Sequence, residues 1–135
     1  MKNFILSCFF ILFSSSASAE IAIIAHLQNN QQLNQLQIQD IFMGRTRAFP
    51  SGEFATPFDQ NELRTIFYQK LTTRPVAQIN AYWARLMFSG QISPPTKLAD
   101  DQSMIKMIQK NTGAIGYIDS KNIDETIFRI LLLLE

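Results

Sequence analysis

The sequence predicts an α/β fold in which a largely parallel sheet is flanked by helices. Short β-branched runs such as Ile21–Ala25 are typical of strands buried on both faces, as in parallel sheets. Between such runs lie longer segments whose apolar residues repeat at helical spacing. Read in order, the segments give β-α-β-α-α-α-β-β, and this order favours a layered α/β architecture.

The first predicted helix is bounded by residues suited to both of its ends. Asn34 is a favourable N-cap, since its side chain can accept a hydrogen bond from a free backbone amide. Gly44 lies where the helix should stop, because glycine adopts the left-handed conformation at low cost. The apolar stripe of this helix is formed by Leu33, Ile38, Ile41 and Phe42.

The middle of the chain predicts one strand and two helices. A loop leads into a strand over Phe54–Phe58, and Asp59–Asn61 then opens a helix. Pro75 starts the next helix, since proline is tolerated in a first helical turn, and Gly90 ends it. The apolar positions of the two helices are Leu63, Ile66, Phe67 and Leu71, and then Val76, Ile79, Tyr82, Trp83, Leu86 and Met87.

The last third of the chain predicts a helix followed by two strands. Asp100 or Asp101 can cap the helix, and Gly113 follows its end. Ala114–Ile118 is one predicted strand and Ile127–Leu134 is the other. We expect the leucine-rich end of the last strand to be buried, with an interface strand as the alternative.

Residues 1–19 have the composition of a secretory signal peptide. Lys2 precedes an apolar run, and small residues up to Ala19 form a cleavage site. Cys8, the only cysteine, lies inside the apolar run, so we interpret it as a signal-peptide residue and not as the modified cysteine of a lipoprotein. An uncleaved anchor is the other alternative. We therefore predict a periplasmic protein whose single domain spans residues 20–135.

Charge and motifs argue against several classes of function. Lys2 is the only charged residue before Glu20, which leaves 11 basic and 11 acidic residues in the predicted domain. This balance gives no field that would attract nucleic acid. The sequence contains no P-loop and no nucleophile elbow, and the single histidine, His26, offers little for a zinc site or a Ser-His-Asp triad. We predict that the protein is not an enzyme and holds no cofactor or metal.

Several segments form an ordered set of motifs. Residues 33–44 follow the pattern Leu-Asn-x3-Ile-x-Asp-Ile-Phe-x-Gly, and Phe49 and Gly52 come next. Residues 82–95 contain Tyr-Trp, a later Phe-x-Gly and then Pro-Pro, and residues 111–117 read Asn-Thr-Gly-Ala-Ile-Gly-Tyr. In this order they resemble the substrate-binding proteins of phosphate ABC transporters, including short secreted relatives. The resemblance spans nearly the whole predicted domain.

The resemblance implies a type 2 periplasmic-binding-protein fold and a link to phosphate uptake. Larger members of that family bind the anion between two lobes. This chain begins at the crossover strand, so we expect a single lobe, with the earlier lobe missing. The family's binding loop reads Gly-Ser-Gly-Thr, whereas the corresponding residues here are Asp59–Arg64.

The loop that opens the second predicted helix is the candidate anion site. Residues 60–63 are expected to present free backbone N–H groups where the helix dipole favours negative charge. Arg64 could add a bidentate contact, and two side-chain amides could donate hydrogens. The alternative is that Arg64 pairs with Asp59 or Glu62, both acids acting as helix caps. The predicted ligand-binding residues are Gln60, Asn61 and Arg64.

Two hypotheses about function follow. The first is a lobe that recognises phosphate or a similar oxyanion for ABC-type uptake. A helix terminus contributes roughly 0.3–1 kcal/mol, and a charged hydrogen bond about 1.5–3 kcal/mol, so an isolated lobe binds at about millimolar strength. Tight capture would need a second surface, from a homodimer or another protein. The second hypothesis is a ligand-free module that docks onto a membrane or periplasmic partner.

Overall fold

The computed structural model describes residues 19–135. The predicted signal peptide, residues 1–19, therefore lies outside the described residues apart from Ala19. A short 3-10 turn, Ser120–Asn122, lies between the last two strands. In chain order the main elements are β1 Ile21–Ala25, α1 Gln35–Phe42, β2 Thr56–Gln60, α2 Arg64–Thr72, α3 Val76–Phe88, β3 Thr96–Leu98, α4 Asp101–Lys110, β4 Ala114–Asp119 and β5 Arg129–Leu134.

The five strands form one mixed, largely parallel sheet in the order β3-β2-β4-β1-β5. β2 runs parallel to both of its neighbours, β3 and β4. β1 runs antiparallel to β4 and β5, so four strands point one way and β1 points the other. The parallel pairing expected for β1 is therefore wrong. Its complete burial was predicted correctly, because it lies between two strands and is covered on both faces.

Helices cover both faces of the sheet, which confirms the predicted α/β class. One core cluster joins the sheet to α1, α2 and α3, and the other joins it to α4. Trp83 is 4% exposed and belongs to the first cluster, as expected of a core residue. On the other face α4 packs closely on β4, since a Cβ atom at Gly116 would collide with the Met104 side chain.

Local signals predicted several helix ends correctly. The Asn34 side chain accepts a hydrogen bond from the Gln37 N–H at 2.8 Å, and the Gln37 side chain accepts one from the Asn34 N–H at 2.9 Å. This reciprocal arrangement is a capping box. Asp100 caps α4 by accepting from the Ser103 N–H at 2.9 Å. Gly44 follows α1 with a φ of +71°, in the left-handed region that favours glycine.

Strands β2, β3 and β5 differ from the prediction, and β4 ends one residue later than predicted, at Asp119. β2 lies two residues later than expected, because Phe54 pairs in an isolated bridge with Ala48 outside the sheet and is 78% exposed. β3 was not predicted, because it is only three residues long, Thr96–Leu98, and directly follows Pro95. β5 begins at Arg129 and lies at the sheet edge. Leu134 is buried there, whereas Leu133 is 43% exposed.

Candidate functional site

The parallel strands β3, β2 and β4 end at one edge of the sheet. In α/β sheets, ligands bind outside the carboxyl ends of such strands. Here β2 ends at Gln60, and the loop Asn61–Leu63 leads into α2 at Arg64. The fold therefore brings the three predicted ligand-binding residues to this edge, but it places each of them in a different environment.

The first amides of the loop are not free. β2 continues through Gln60, so the helix does not open there. The Gln60 backbone N–H donates to Tyr117 Oη at 3.1 Å, and the Asn61 N–H donates to the Leu98 carbonyl at 2.9 Å. The prediction of open backbone amides at these two positions is wrong, because β4 and the end of β3 use both donors.

The predicted amides of Glu62 and Leu63 have no acceptor among residues 19–135, and the open amides continue into the first turn of α2. Leu63 precedes the helix without a side-chain capping bond, and the Phe67 N–H donates to the Leu63 carbonyl at 2.8 Å. The N–H groups of Arg64, Thr65 and Ile66 therefore have no helical partner, and no described residue accepts a hydrogen bond from them. The first turn also lacks an acidic residue. It thus combines three donors with the positive end of the helix dipole.

Arg64, the first residue of this turn, is largely buried, with 9% of its surface exposed. Its Nε donates to Asp59 Oδ2 at 3.2 Å, and its Nη1 donates to Asn80 Oδ1 on α3 at 2.6 Å. The guanidinium also lies over the Tyr68 ring, 5.2 Å from the centroid. Nη2 has no hydrogen-bond partner among residues 19–135. Asp59 is therefore the acid that pairs with Arg64, and its predicted capping role is wrong because it lies within β2.

Asp59 is the centre of a buried polar cluster. It accepts hydrogen bonds from the hydroxyls of Tyr68 at 3.0 Å and Tyr117 at 3.1 Å, in addition to Arg64. Burial raises the pKa of Asp59, while the Arg64 charge and the hydrogen bonds oppose that rise. Burial and the neighbouring Asp59 charge raise the pKa of both tyrosines, which keeps both hydroxyls protonated as donors. The cluster fixes the end of β2 to α2 and β4.

Gln60 is fully buried and holds the loop from below. Its side-chain Nε2 donates to Asp101 Oδ1 at 2.7 Å and to the Tyr117 carbonyl at 2.8 Å, so both amide hydrogens are used. Asp101 in turn accepts from the Asp119 N–H at 3.1 Å and from Asn122 Nδ2 at 2.7 Å. Asp101 is therefore a buried acceptor in α4 and not its cap.

Asn61 has an exposed side chain, in contrast to Gln60. The sequence interpretation missed four residues that shape the site, because each comes from a different element. A usable signal existed for one of them, since a tyrosine in a glycine-rich buried strand needs a partner for its hydroxyl. The missed residues are Tyr68, Asn80, Asp101 and Tyr117.

The side of the Asn61–Leu63 loop that faces the start of α4 is acidic. A pocket of about 310 Å³ there is lined by Glu62, Asp100, Asp101 and Asp119, with Lys121 at its wall. Its negative charges would repel an anion. Within residues 19–135, no group of three or more His, Cys, Asp or Glu side chains is arranged to hold a metal ion.

The fold and this edge define one lobe of a type 2 periplasmic-binding-protein-like structure. It is similar to a structure from Clostridium perfringens with bound phosphate, described as a phosphate ABC transporter substrate-binding protein (TM-score 0.61, 18% identity, covering 81% of this chain and 44% of that chain). It is also similar to an ABC-type phosphate transport receptor from Vibrio cholerae (TM-score 0.63, 16% identity, covering 84% and 46%). The first is described as a substrate-binding protein and the second as a transport receptor.

This chain spans less than half the length of those two proteins. At such identities the likeness concerns the fold. No protein-family model and no curated protein matches the sequence. Across residues 19–135, no helix combines the length and apolar character that crossing a bilayer requires.

Proposed function

We propose that this chain is a periplasmic oxyanion-binding lobe that serves ABC-type phosphate uptake together with the membrane components of the transporter. The observation that carries the proposal is the open first turn of α2, where the backbone N–H groups of Arg64, Thr65 and Ile66 have no acceptor among residues 19–135. The similarity to a structure with bound phosphate and to a phosphate transport receptor supports phosphate as the first ligand to test. The signal peptide predicted over residues 1–19 supports export to the periplasm.

In the proposed complex, the anion accepts hydrogen bonds from the N–H groups of Thr65 and Ile66 and from Arg64 Nη2. The exposed amide of Asn61 contributes from the loop side. Gln60 acts from below by holding the loop, since both of its amide hydrogens are already donated. A phosphate group suits this arrangement, because it offers several acceptor oxygens to donors that come from different directions.

The binding energy of such a site is modest. A partly buried helix terminus contributes at most about 2 kcal/mol, and one charged hydrogen bond about 1.5–3 kcal/mol. Together they approach the roughly 4 kcal/mol of a millimolar site. Arg64 shares its charge with Asp59, which weakens its attraction for an anion. A single lobe would therefore bind weakly, and tight capture would require a second protein surface.

The proposal is tested by titration calorimetry of the exported protein with phosphate and with sulfate, against sodium chloride at matched ionic strength. Thr65→Glu places a negative charge at the second position of α2, on an exposed residue. We expect it to abolish the anion response through like-charge repulsion. Gln102→Glu makes the same change at the second position of α4 and is the matched control. A wild-type protein without a saturable response at about 20 mM phosphate would contradict the proposal.

A docking module without a ligand is the second candidate. It is favoured by the polar and acidic loop, because Glu62 lies next to the open turn and an acidic pocket lies beyond it. Chemical cross-linking in intact periplasm followed by mass spectrometry separates the two candidates. A defined transporter partner together with an absent phosphate response would support docking, whereas a phosphate response lost in Thr65→Glu would support anion binding.

A further inference from the structure

A second concave surface lies at the other end of the parallel strands from the proposed anion site. β2 begins at Thr56 and β3 begins at Thr96, and both residues line a cavity of about 440 Å³. Since a strand rises about 3.3 Å per residue, Thr56 and Gln60 lie about 13 Å apart along β2. The cavity is therefore separate from the open first turn of α2, and we call it the amino-edge cavity.

The walls of the amino-edge cavity are mainly apolar and held in place. Trp83 of α3 and Ile92 both pack against Gly44, because a Cβ atom at that glycine would collide with both side chains. Pro94 and Pro95 form another part of the wall, and their rings fix the backbone φ angles there. The cavity is thus a feature of the folded chain and needs no rearrangement to receive a ligand.

Arg47 places a positive charge beside these apolar walls. Its backbone carbonyl accepts a hydrogen bond from the Ala55 N–H at 2.9 Å, and Ala48 pairs with Phe54, so the backbone at this position is tied to the segment that enters β2. The guanidinium has no hydrogen-bond or ion-pair partner among residues 19–135. Within the same residues, the cavity wall contains no acid, and Arg47 is its one ionisable side chain. The charge of the wall therefore suits an anion.

We propose that the amino-edge cavity binds small organic carboxylates that carry an apolar, preferably aromatic, body. The carboxylate accepts two parallel hydrogen bonds from the Arg47 guanidinium, and the body lies against Trp83 and the exposed ring of Phe54. Small-molecule sites are typically concave, mainly apolar and about 300–1,000 Å³ in volume, with a few polar groups that fix orientation. This site shares no residue with the proposed oxyanion site and does not depend on it.

Titration of the exported protein with 3-phenylpropionate tests the proposal. Trp83 is the only tryptophan in the sequence, so tryptophan fluorescence reports on the cavity wall directly. We expect a saturable change with half-saturation below about 1 mM. Acetate lacks the apolar body and 3-phenylpropionamide lacks the charge, so each should bind at least about tenfold more weakly. A wild-type protein without a saturable change up to about 10 mM 3-phenylpropionate would overturn the proposal.

Two arginine variants test the role of the charge. Arg47→Gln should weaken binding of 3-phenylpropionate at least about tenfold and change binding of the neutral amide less than about twofold. Arg45→Gln is the matched control, because Arg45 is also exposed but pairs with Asp40 and lies outside the cavity wall. It should change the affinity less than about twofold. Equal losses in the two variants would contradict a site at Arg47.

Nuclear magnetic resonance places the bound probe. Trp83 Nε1–H has no acceptor among residues 19–135, and it gives the single indole N–H resonance of the protein. We expect this resonance to shift with the same half-saturation as the fluorescence. Thr65→Glu should leave the affinity for 3-phenylpropionate unchanged, since it alters only the start of α2. Loss of binding in Thr65→Glu, or shifts confined to the first turn of α2, would place the probe at the oxyanion site and overturn the proposal.

Discussion

The starts of α2 and α4 lie at the same edge of the sheet, after β2 and β3, but they are built in opposite ways. At α4, the Asp100 side chain caps the helix and Asp101 occupies its first turn. At α2, Leu63 offers no cap, the first turn has no acid, and Arg64 is its first residue. At the start of α4, acidic side chains of the protein interact with the free amides and the helix dipole. At the start of α2 no side chain of the described residues does so, and a bound anion would take that place.

The two helix starts also differ in where their charges lie. The acid that contacts α2 is Asp59, which lies within β2 and accepts hydrogen bonds from Arg64 and from two tyrosine hydroxyls. The cap of α4 is a surface carboxylate that acts on one backbone amide. Substitutions of the two acids should therefore differ in size and in pH dependence.

The largest effect is expected from Asp59→Leu. It leaves Arg64 as a buried charge without its partner and removes the acceptor of two tyrosine hydroxyls. Breaking a buried pair in this way costs about 3–5 kcal/mol of folding free energy. Urea unfolding followed by circular dichroism measures the change. Asp59→Asn is the control, because it retains an acceptor and the side-chain volume, and a loss for Asp59→Leu no larger than that for Asp59→Asn would contradict the central role of the charge.

A smaller loss is expected from Asp100→Ala. This variant removes the hydrogen bond to the Ser103 N–H but leaves the buried side chains of α4 in place. We expect a decrease in the urea midpoint several-fold smaller than for Asp59→Leu, with Asp100→Asn close to wild type because asparagine is also a good N-cap. An Asp100→Ala variant as unstable as Asp59→Leu would mean that the cap also supports the sheet edge.

As the pH falls, Asp100 and Asp59 should change the free energy of unfolding in opposite directions. The hydrogen bond from the Ser103 backbone lowers the pKa of Asp100 from its ordinary value of 3.8. Its stabilising contribution is thus present above pH 3.8 and is lost as the pH falls through the folded-state pKa. Burial raises the pKa of Asp59, so its contribution decreases stability as the pH rises from 3.8 through the folded-state pKa.

The free energy of unfolding measured from about pH 2.5 to 6 checks both signs. Asp100→Asn should reduce the acid-induced loss of stability below pH 3.8. Asp59→Asn should remove the decrease expected above pH 3.8. Two variants with parallel pH profiles would show that these carboxylates do not titrate differently between the folded and unfolded states.

The same comparison explains which parts of the molecule could be predicted from the sequence. Asn34, Gly44 and Asp100 act on backbone groups within a few residues, so their roles follow from local sequence alone. The end of β2 depends on residues far along the chain: Asn61 bonds to Leu98, and Gln60 bonds to Tyr117. A polar Asp-Gln-Asn segment was therefore interpreted as a helix start, although its first two residues belong to a strand.

The candidate site shows the same division. Arg64 was correctly connected to the α2 start, and Asp59 was one of the two acids considered as its partner. Its other contacts, Asn80 on α3 and the ring of Tyr68, depend on how α2 and α3 pack, and no local pattern predicts that packing. That Gln60, Asn61 and Arg64 contribute to anion binding stays a prediction.

The smallest expected effect on stability tests the difference between the starts of α2 and α4 most directly. Thr65→Glu adds an acid to an uncapped first turn, and Gln102→Glu adds one to a first turn that already has a cap and an acid. A negative charge near a helix N-terminus stabilises it by about 0.3–1 kcal/mol, so Thr65→Glu should raise the free energy of unfolding by that amount. Gln102→Glu should gain less, because Asp100 and Asp101 already interact with that dipole and repel a third charge. Urea unfolding at low ionic strength measures both.

An increase in stability for Thr65→Glu, together with loss of its phosphate response, would mean that the open turn of α2 gives up stability that a bound anion restores. A decrease in the free energy of unfolding for Thr65→Glu would mean that Glu62 already interacts with the dipole of α2. The interpretation that the first turn of α2 is open would then be wrong.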